Sequence, residues 1–284
     1  MNSTPNSIPS IDSLLPPEMA AKAEAIGTRK IQVPPASTFT LAVLAGAFIA
    51  LGAMFSTTVA ADTSLEWPYG LARVAAGLAF SLGLILVVVG GAELFTGNNL
   101  IVMAWAGGKV GTRDLLGNWV IVYAGNFVGA LGTALLMVWT RQYSFGAGAV
   151  GRAALSTAAA KAGLDFGQAF ARGVLCNALV CLAVWLSYSA RTTVDRIAAV
   201  VPPVTAFVAA GFEHSVANMY FLPVAILLRT LDPAFAAASG VDLTDLTWGA
   251  FLFRNLLPVT LGNIVGGSLL VAVVYWFVYL RRGQ

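Results

Sequence analysis

The chain has 284 residues, 58% of them hydrophobic and 10% charged, with a mean hydropathy of +0.81. That balance excludes an ordinary soluble domain and defines an integral membrane protein. The net charge of +3 is modest and its 16 Lys and Arg are scattered, which gives nucleic-acid binding no support.

Residues 1–37 form a polar segment punctuated by Pro5, Pro9, Pro16, Pro17, Pro34 and Pro35. It lacks the charged-then-apolar layout of a cleavable signal, so the first span is expected to direct insertion. Glu18 to Ile31 is expected as a short amphipathic surface helix on the cytoplasmic side, read either as a solvated tail or as a gating or docking element. Windows long enough to cross roughly 30 Å of hydrocarbon fall at 38–61, 69–106, 115–140, 166–190, 197–229 and 251–280. No strand-like alternation appears, so the expected fold is all-α, with six transmembrane helices in a domain spanning 38–282. The second and fifth windows are overlong and broken. Cys176 and Cys181 share one span and read as packing residues, not as a disulfide framework.

Basic residues set the expected orientation. Lys22, Arg29, Lys30, Lys109, Arg113, Arg191, Arg196, Arg281 and Arg282 flank one side, while loops 61–68 and 230–247 on the other carry five acids and no Lys or Arg. Both termini are therefore expected in the cytoplasm.

The two halves repeat each other, over about 38–140 and 166–280. Glu93 and Asn98 recur as Glu213 and Asn218 at an offset of 120, each pair in a Gly-x-Glu-x-x-x-x-Asn frame. Asn118, Gly125-Asn126, Val128-Gly129 and Trp139 recur as Asn255, Gly262-Asn263, Val265-Gly266 and Trp276 at an offset of 137, and Val43-Leu44 aligns more weakly with Val174-Leu175. Three spans per repeat is an odd number, so the repeats enter the membrane from opposite faces. Inverted repeats of this kind place a solute path on their pseudo-two-fold axis, where broken helices meet near the midplane.

The breaks carry the costly residues. Glu93 lies in the first; Glu213 and His214, the only histidine, lie in the second. An acid or imidazole at membrane depth marks a functional site by default. An interrupted helix exposes backbone N–H groups at a new N-terminus and attracts anions. Glu93 and Glu213 are expected to cap freed backbone or pair with polar neighbours, and bracing the kinks is favoured over carrying protons.

Four segments carry a family resemblance: Glu-Leu-Phe-Thr-Gly at 93–97, Gly-Phe-Glu-His-Ser-Val-Ala-Asn at 211–218, Cys-Asn-x-Leu-Val-Cys-Leu-Ala-x-Trp at 176–185, and Leu-Pro-Val-Thr-Leu-Gly-Asn-Ile-Val-Gly-Gly at 257–267. Together they resemble the formate/nitrite transporter family, over about residue 10 to Arg282. The resemblance implies an aquaporin-like six-helix fold, a homopentamer with a pore in each protomer, and formate as substrate across a bacterial inner membrane. Phe80, Leu84 and Phe207 are similar to the family's outer hydrophobic slit, and Leu94, Phe95 and Val180 to its inner one. Thr96 and His214 are similar to the polar pair between the slits. Lys161, Asn177, Glu213 and Asn218 are similar to the supporting network, where the lysine draws in the anion. No cofactor or metal is implied; a formate-producing enzyme at the N-terminal segment is a candidate cytoplasmic partner.

A bare carboxylate pushed through a Phe and Leu constriction loses hydration worth several kcal/mol or more. In water, passing a proton from imidazolium to a carboxylate is uphill by about 2.5 units, roughly 3.4 kcal/mol. A low-dielectric pore penalises both ions, so the gap narrows. Formate is therefore expected to pass as formic acid or with its charge compensated, with proton-coupled import when the outside is acidic. Nitrite or another small monovalent anion suits the same path and stays open as an alternative. A neutral-solute channel fits less well, because no Asn-Pro-Ala signature accompanies Asn98 or Asn218. An enzyme has no metal-ligand histidine motif, activated nucleophile or phosphate loop to build on.

Overall fold

The computed structural model describes residues 12–61 and 67–281. Pro5, Pro9, Asp62, Glu66 and Arg282, which entered the reading of the terminus and of orientation, lie outside the described residues. The described residues are helical and contain no strand.

Helix α1 (Pro16–Gln32) starts on two prolines, where a missing N–H costs nothing, and ends on Arg29 and Lys30, which favour the negative end of the helix dipole. The Glu18 carboxylate takes the backbone N–H of Leu15 at 2.8 Å. Met19, Ala20, Ala23 and Gly27 are buried, packed in one apolar cluster with Leu100, Ile101, Met103 and Val271. A solvated tail is thereby ruled out for this stretch: α1 is part of the body.

Five helices are long and apolar enough to cross a membrane: α2 (Pro35–Ala60), α3 (Tyr69–Gly90), α6 (Thr112–Trp139), α8 (Phe166–Ser189) and a final span, Ala250–Tyr279. A sixth crossing is made by two shorter helices end to end, α9 (Thr193–Ala209) and α10 (Ser215–Leu231). Between α3 and α6 run α4 (Phe95–Asn98), a tight turn, and α5 (Val102–Ala106). Helix α7 (Ala149–Ala162) precedes α8, and α11 (Pro233–Ala238) follows α10. The final span widens into π-helical turns over Ala250–Leu256 and Val265–Val273. Pro258, which has no N–H to give, follows the first of them.

Between membrane helices small residues let backbones approach closely. A Cβ at Gly129 would strike the carbonyl oxygen of Val43, and one at Gly266 that of Val174. These are the same contact in the two repeats, α2 on α6 and α8 on the final span. Gly266→Ala is accordingly expected to cost about 3 kcal/mol, the upper end of overpacking, read as a lowered midpoint of thermal unfolding in detergent. An unchanged midpoint would show that the helices can separate at no cost.

Two hydrogen bonds join residues to their own repeat counterparts: Ser81 Oγ to the Val201 carbonyl at 3.5 Å, and Tyr123 Oη with Thr260 Oγ1 at 2.8 Å. A residue can meet its counterpart only on the symmetry axis. The pseudo-two-fold axis therefore crosses the α3–α9 contact and the contact of α6 with the final span.

Candidate functional site: a polar waist between two cavities

Both breaks are built alike. Gly91 (φ +77°) ends the first helix and Gly211 (φ +74°) its counterpart, each in the left-handed region that glycine enters without strain. Extended residues follow, and new helices begin at Phe95 and Ser215. A fully buried asparagine latches each break. Asn126 accepts the Phe95 N–H (2.9 Å) and donates to the carbonyls of Ala42 (2.7 Å) and Glu93 (2.9 Å). Asn263 accepts the Ser215 N–H (2.9 Å) and donates to Gly173 (2.8 Å) and Glu213 (3.0 Å). Backbone that leaves a helix inside a membrane must find such partners.

The glutamates are paired. Glu93 accepts from Lys30 Nζ and Asn98 Nδ2, each at 2.7 Å, and Asn98 also donates to Asn118. Glu213 accepts from Lys161 Nζ (2.9 Å) and Asn218 Nδ2 (2.7 Å), and Asn218 also donates to Asn255. Lys30 and Lys161 are 131 positions apart, the offset that relates Val43 to Val174. The repeat therefore extends back into α1, with α7 as its counterpart. Removing one member of a buried pair strands a charge at roughly 3–5 kcal/mol. The Lys161–Glu213 pair is the more enclosed, at 15% and 4% side-chain exposure against 23% and 11%.

Where the breaks meet, the symmetry ends. His214 occupies the position of Leu94, and Thr96 that of Val216. His214 Nδ1 accepts the Ala217 N–H at 3.1 Å, capping α10. The neutral ring then carries its hydrogen on Nε2, which lies 3.1 Å from Thr96 Oγ1. The Thr96 carbonyl is held by Asn177 Nδ2 and Cys181 Sγ, both at 3.3 Å. Cys181 thus does more than pack; both cysteines are free and buried. Thr96 is fully buried and His214 2% exposed, so this pair forms a dry polar waist.

A cavity lies on each side. That on the α7 side, about 380 Å³, is lined by Phe80, Phe207, Phe221 and His214, with Arg73, Arg172 and Lys161 against the single carboxylate of Glu213. That on the α1 side, about 300 Å³, is lined by Leu84, Val87, Leu94 and Val184, with Arg29 and Lys30 against Glu93. In each, cations outnumber the carboxylate. Helix α3 runs from one cavity to the other, and Leu84, one turn beyond Phe80, lines the α1-side cavity and not the one lined by Phe80 and Phe207. Phe95 is 3% exposed, its ring against Trp119 and Tyr123, and Val180 is 1% exposed; neither lines these two cavities.

Sequence reasoning missed Lys30, Arg73, Arg172 and Phe221. Only Lys30 left a signal, the 131 offset. Arg73 reaches back to the carbonyls of Val208 (2.6 Å) and Ala209 (3.2 Å), the open end of α9.

Inverted repeats, two broken helices and a dry polar pair between cation-rich cavities define a multi-pass membrane protein of the transporter class. The formate/nitrite transporter family model matches residues 17–277. The chain is 46% identical to the formate channel FocA of Escherichia coli (strain K12) over 277 residues, 96% of this chain and 97% of that one. It is 42% identical to FocA of Haemophilus influenzae, covering 92% and 93%. A solved pentameric formate channel with formate bound superposes with a TM-score of 0.81 at 43% identity, over 87% of this chain and 98% of that one. An FNT family ion channel does so with a TM-score of 0.77 at 26% identity, over 92% and 98%. The chain belongs to the formate/nitrite transporter family.

Proposed function

We propose that this protein carries formate across the bacterial inner membrane, as a homopentamer with a path through each protomer and both termini in the cytoplasm. The observation that carries the reading is the Thr96–His214 pair, buried where the two cavities approach each other. The formate relatives named above add the substrate and the pentamer to that reading.

The α7-side cavity then faces out. Lys161 is tied to Glu213, so the surplus positive charge there rests with Arg73 and Arg172. These arginines concentrate anions at the outer mouth, and Arg29 with Lys30 does so at the inner one. Phe80 and Phe207 form the outer narrowing; Leu84, Leu94, Phe95 and Val180 surround the inner one. Protonating a carboxylate of pKa about 4 at pH 7 costs about 4 kcal/mol. Stripping the bare ion of water costs several kcal/mol or more. The neutral acid is therefore the cheaper traveller, with the Thr96 hydroxyl hydrogen free to face it at the waist while His214 Nε2 donates to Thr96 Oγ1. Glu93 and Glu213 brace the breaks, and Asn98, Asn218 and Asn177 hold their geometry. The apolar face of α1 is spent within the chain, which leaves a formate-producing enzyme no apolar stripe there to dock on.

The test is uptake of labelled formate into vesicles holding the purified protein, with an internal pH dye. Expected are uptake well above protein-free vesicles, internal acidification, and a rate that climbs as external pH falls from 8 towards about 5, where the neutral fraction grows roughly tenfold per unit. Uptake no faster than in protein-free vesicles would overturn the reading.

A further inference from the structure

The scaffold is symmetric but its aromatic rings are not. Phe80 and Phe207 have Val200 and Val87 as repeat counterparts, and Phe221 has Ile101. Three helices, α3, α9 and α10, each contribute one of these rings to the outer cavity, and the counterpart positions hold none. The rings are in contact. Phe80 meets Phe207 edge-on at 5.6 Å and lies nearly parallel to Phe221 at 6.4 Å, while Phe207 lies over His214 at 6.0 Å. Lys161 Nζ stands over Phe221, 5.3 Å from the ring centre.

We propose that Phe221 is a specificity-determining residue, the third wall of an aromatic neck whose closed side sets the largest monocarboxylate that passes. Its ring does two things at once. It backs Phe80, so Phe80 cannot swing away from Phe207 to widen the neck. It also gives Lys161 a second anchor beside Glu213, keeping the ammonium at the wall and out of the passage. A side chain that only packed α10 against its neighbours would have no reason to line the cavity; Phe221 is partly exposed into it, whereas Tyr220 beside it is 4% exposed.

This inference rests on formate being the substrate, and its test keeps the two apart. Formate, acetate and lactate uptake are compared in vesicles holding wild-type protein, Phe221→Ala, Phe221→Leu or Phe221→Trp. One extra carbon against an apolar wall discriminates by about 10–200-fold. Phe221→Ala is therefore expected to raise the acetate-to-formate ratio at least tenfold and to admit lactate, with Phe221→Leu in between. Phe221→Trp is expected to slow acetate more than formate and so to lower the ratio. Should the alanine variant fail to assemble, the leucine and tryptophan variants decide, because they must move the ratio in opposite directions. An acetate-to-formate ratio that stays at the wild-type value in assembled leucine and tryptophan variants would overturn the role of Phe221 alone. Absence of wild-type formate uptake would overturn the substrate reading with it.

Discussion

Formate uptake by His214→Phe is expected to fall at least about tenfold at every pH while keeping the rise towards acid, which belongs to the neutral acid in solution. The phenylalanine ring fills the same space but cannot donate to Thr96, and it leaves the Ala217 N–H without the acceptor that caps α10. The orphaned Ala217 N–H costs about 1–3 kcal/mol of stability, and losing the donor that holds Thr96 towards the passing acid, at a comparable cost in the barrier, slows passage roughly 5- to 150-fold. His214→Asn separates the two losses. Asparagine is among the best capping residues and can still take the Ala217 N–H, so this variant is expected to hold wild-type thermal stability. Its shorter amide, engaged at the cap, does not reach Thr96 as the imidazole does, so uptake is still expected to fall. Uptake by the phenylalanine variant at the wild-type rate would remove the imidazole from the transport path.

Much of this arrangement was legible in the sequence, for physical reasons that differ by element. The spans follow from apolar length alone, and the breaks from Gly-x-Glu frames too polar to continue an apolar helix. The offsets of 120 and 137 also relate pairs that stood out only once the fold joined them across its axis, Ser81 with Val201 and Tyr123 with Thr260. Asn126 and Asn263 stood out only as repeat markers; that each satisfies three backbone groups depends on α2 and α8 passing within reach, which no local pattern encodes. Lys30 was hidden because it precedes the first span, where polarity reads as a terminal segment. Its membership of the repeat emerges once α1 is seen packed beneath Glu93. Phe221 was hidden for the opposite reason: an aromatic in an apolar helix is ordinary until its neighbours turn out to be Phe80 and Lys161. Leu84, expected with the outer slit, lies one helical turn from Phe80 and lines the α1-side cavity.

The latches should matter more to folding than any pore residue. In Asn263→Leu the Glu213 carbonyl and the Ser215 N–H lose their partner, the Gly173 carbonyl keeps only its bond within α8, and the side chain that served all three is fully buried. Two orphaned groups at about 1–3 kcal/mol each total roughly 2–6 kcal/mol, a large share of the stability of a typical protein, about 5–15 kcal/mol. The expected result is a drop of at least about 10 °C in the unfolding midpoint, or failure to assemble. Asn126→Leu should behave alike, since Asn126 serves Phe95, Ala42 and Glu93 in the same way. Equal damage is expected from these two positions on opposite sides of the waist, whatever either does to transport. A stable, assembled Asn263→Leu protein would mean that the broken helices keep their shape without the latch, and would shift their origin to Gly211 and to the Lys161–Glu213 pair.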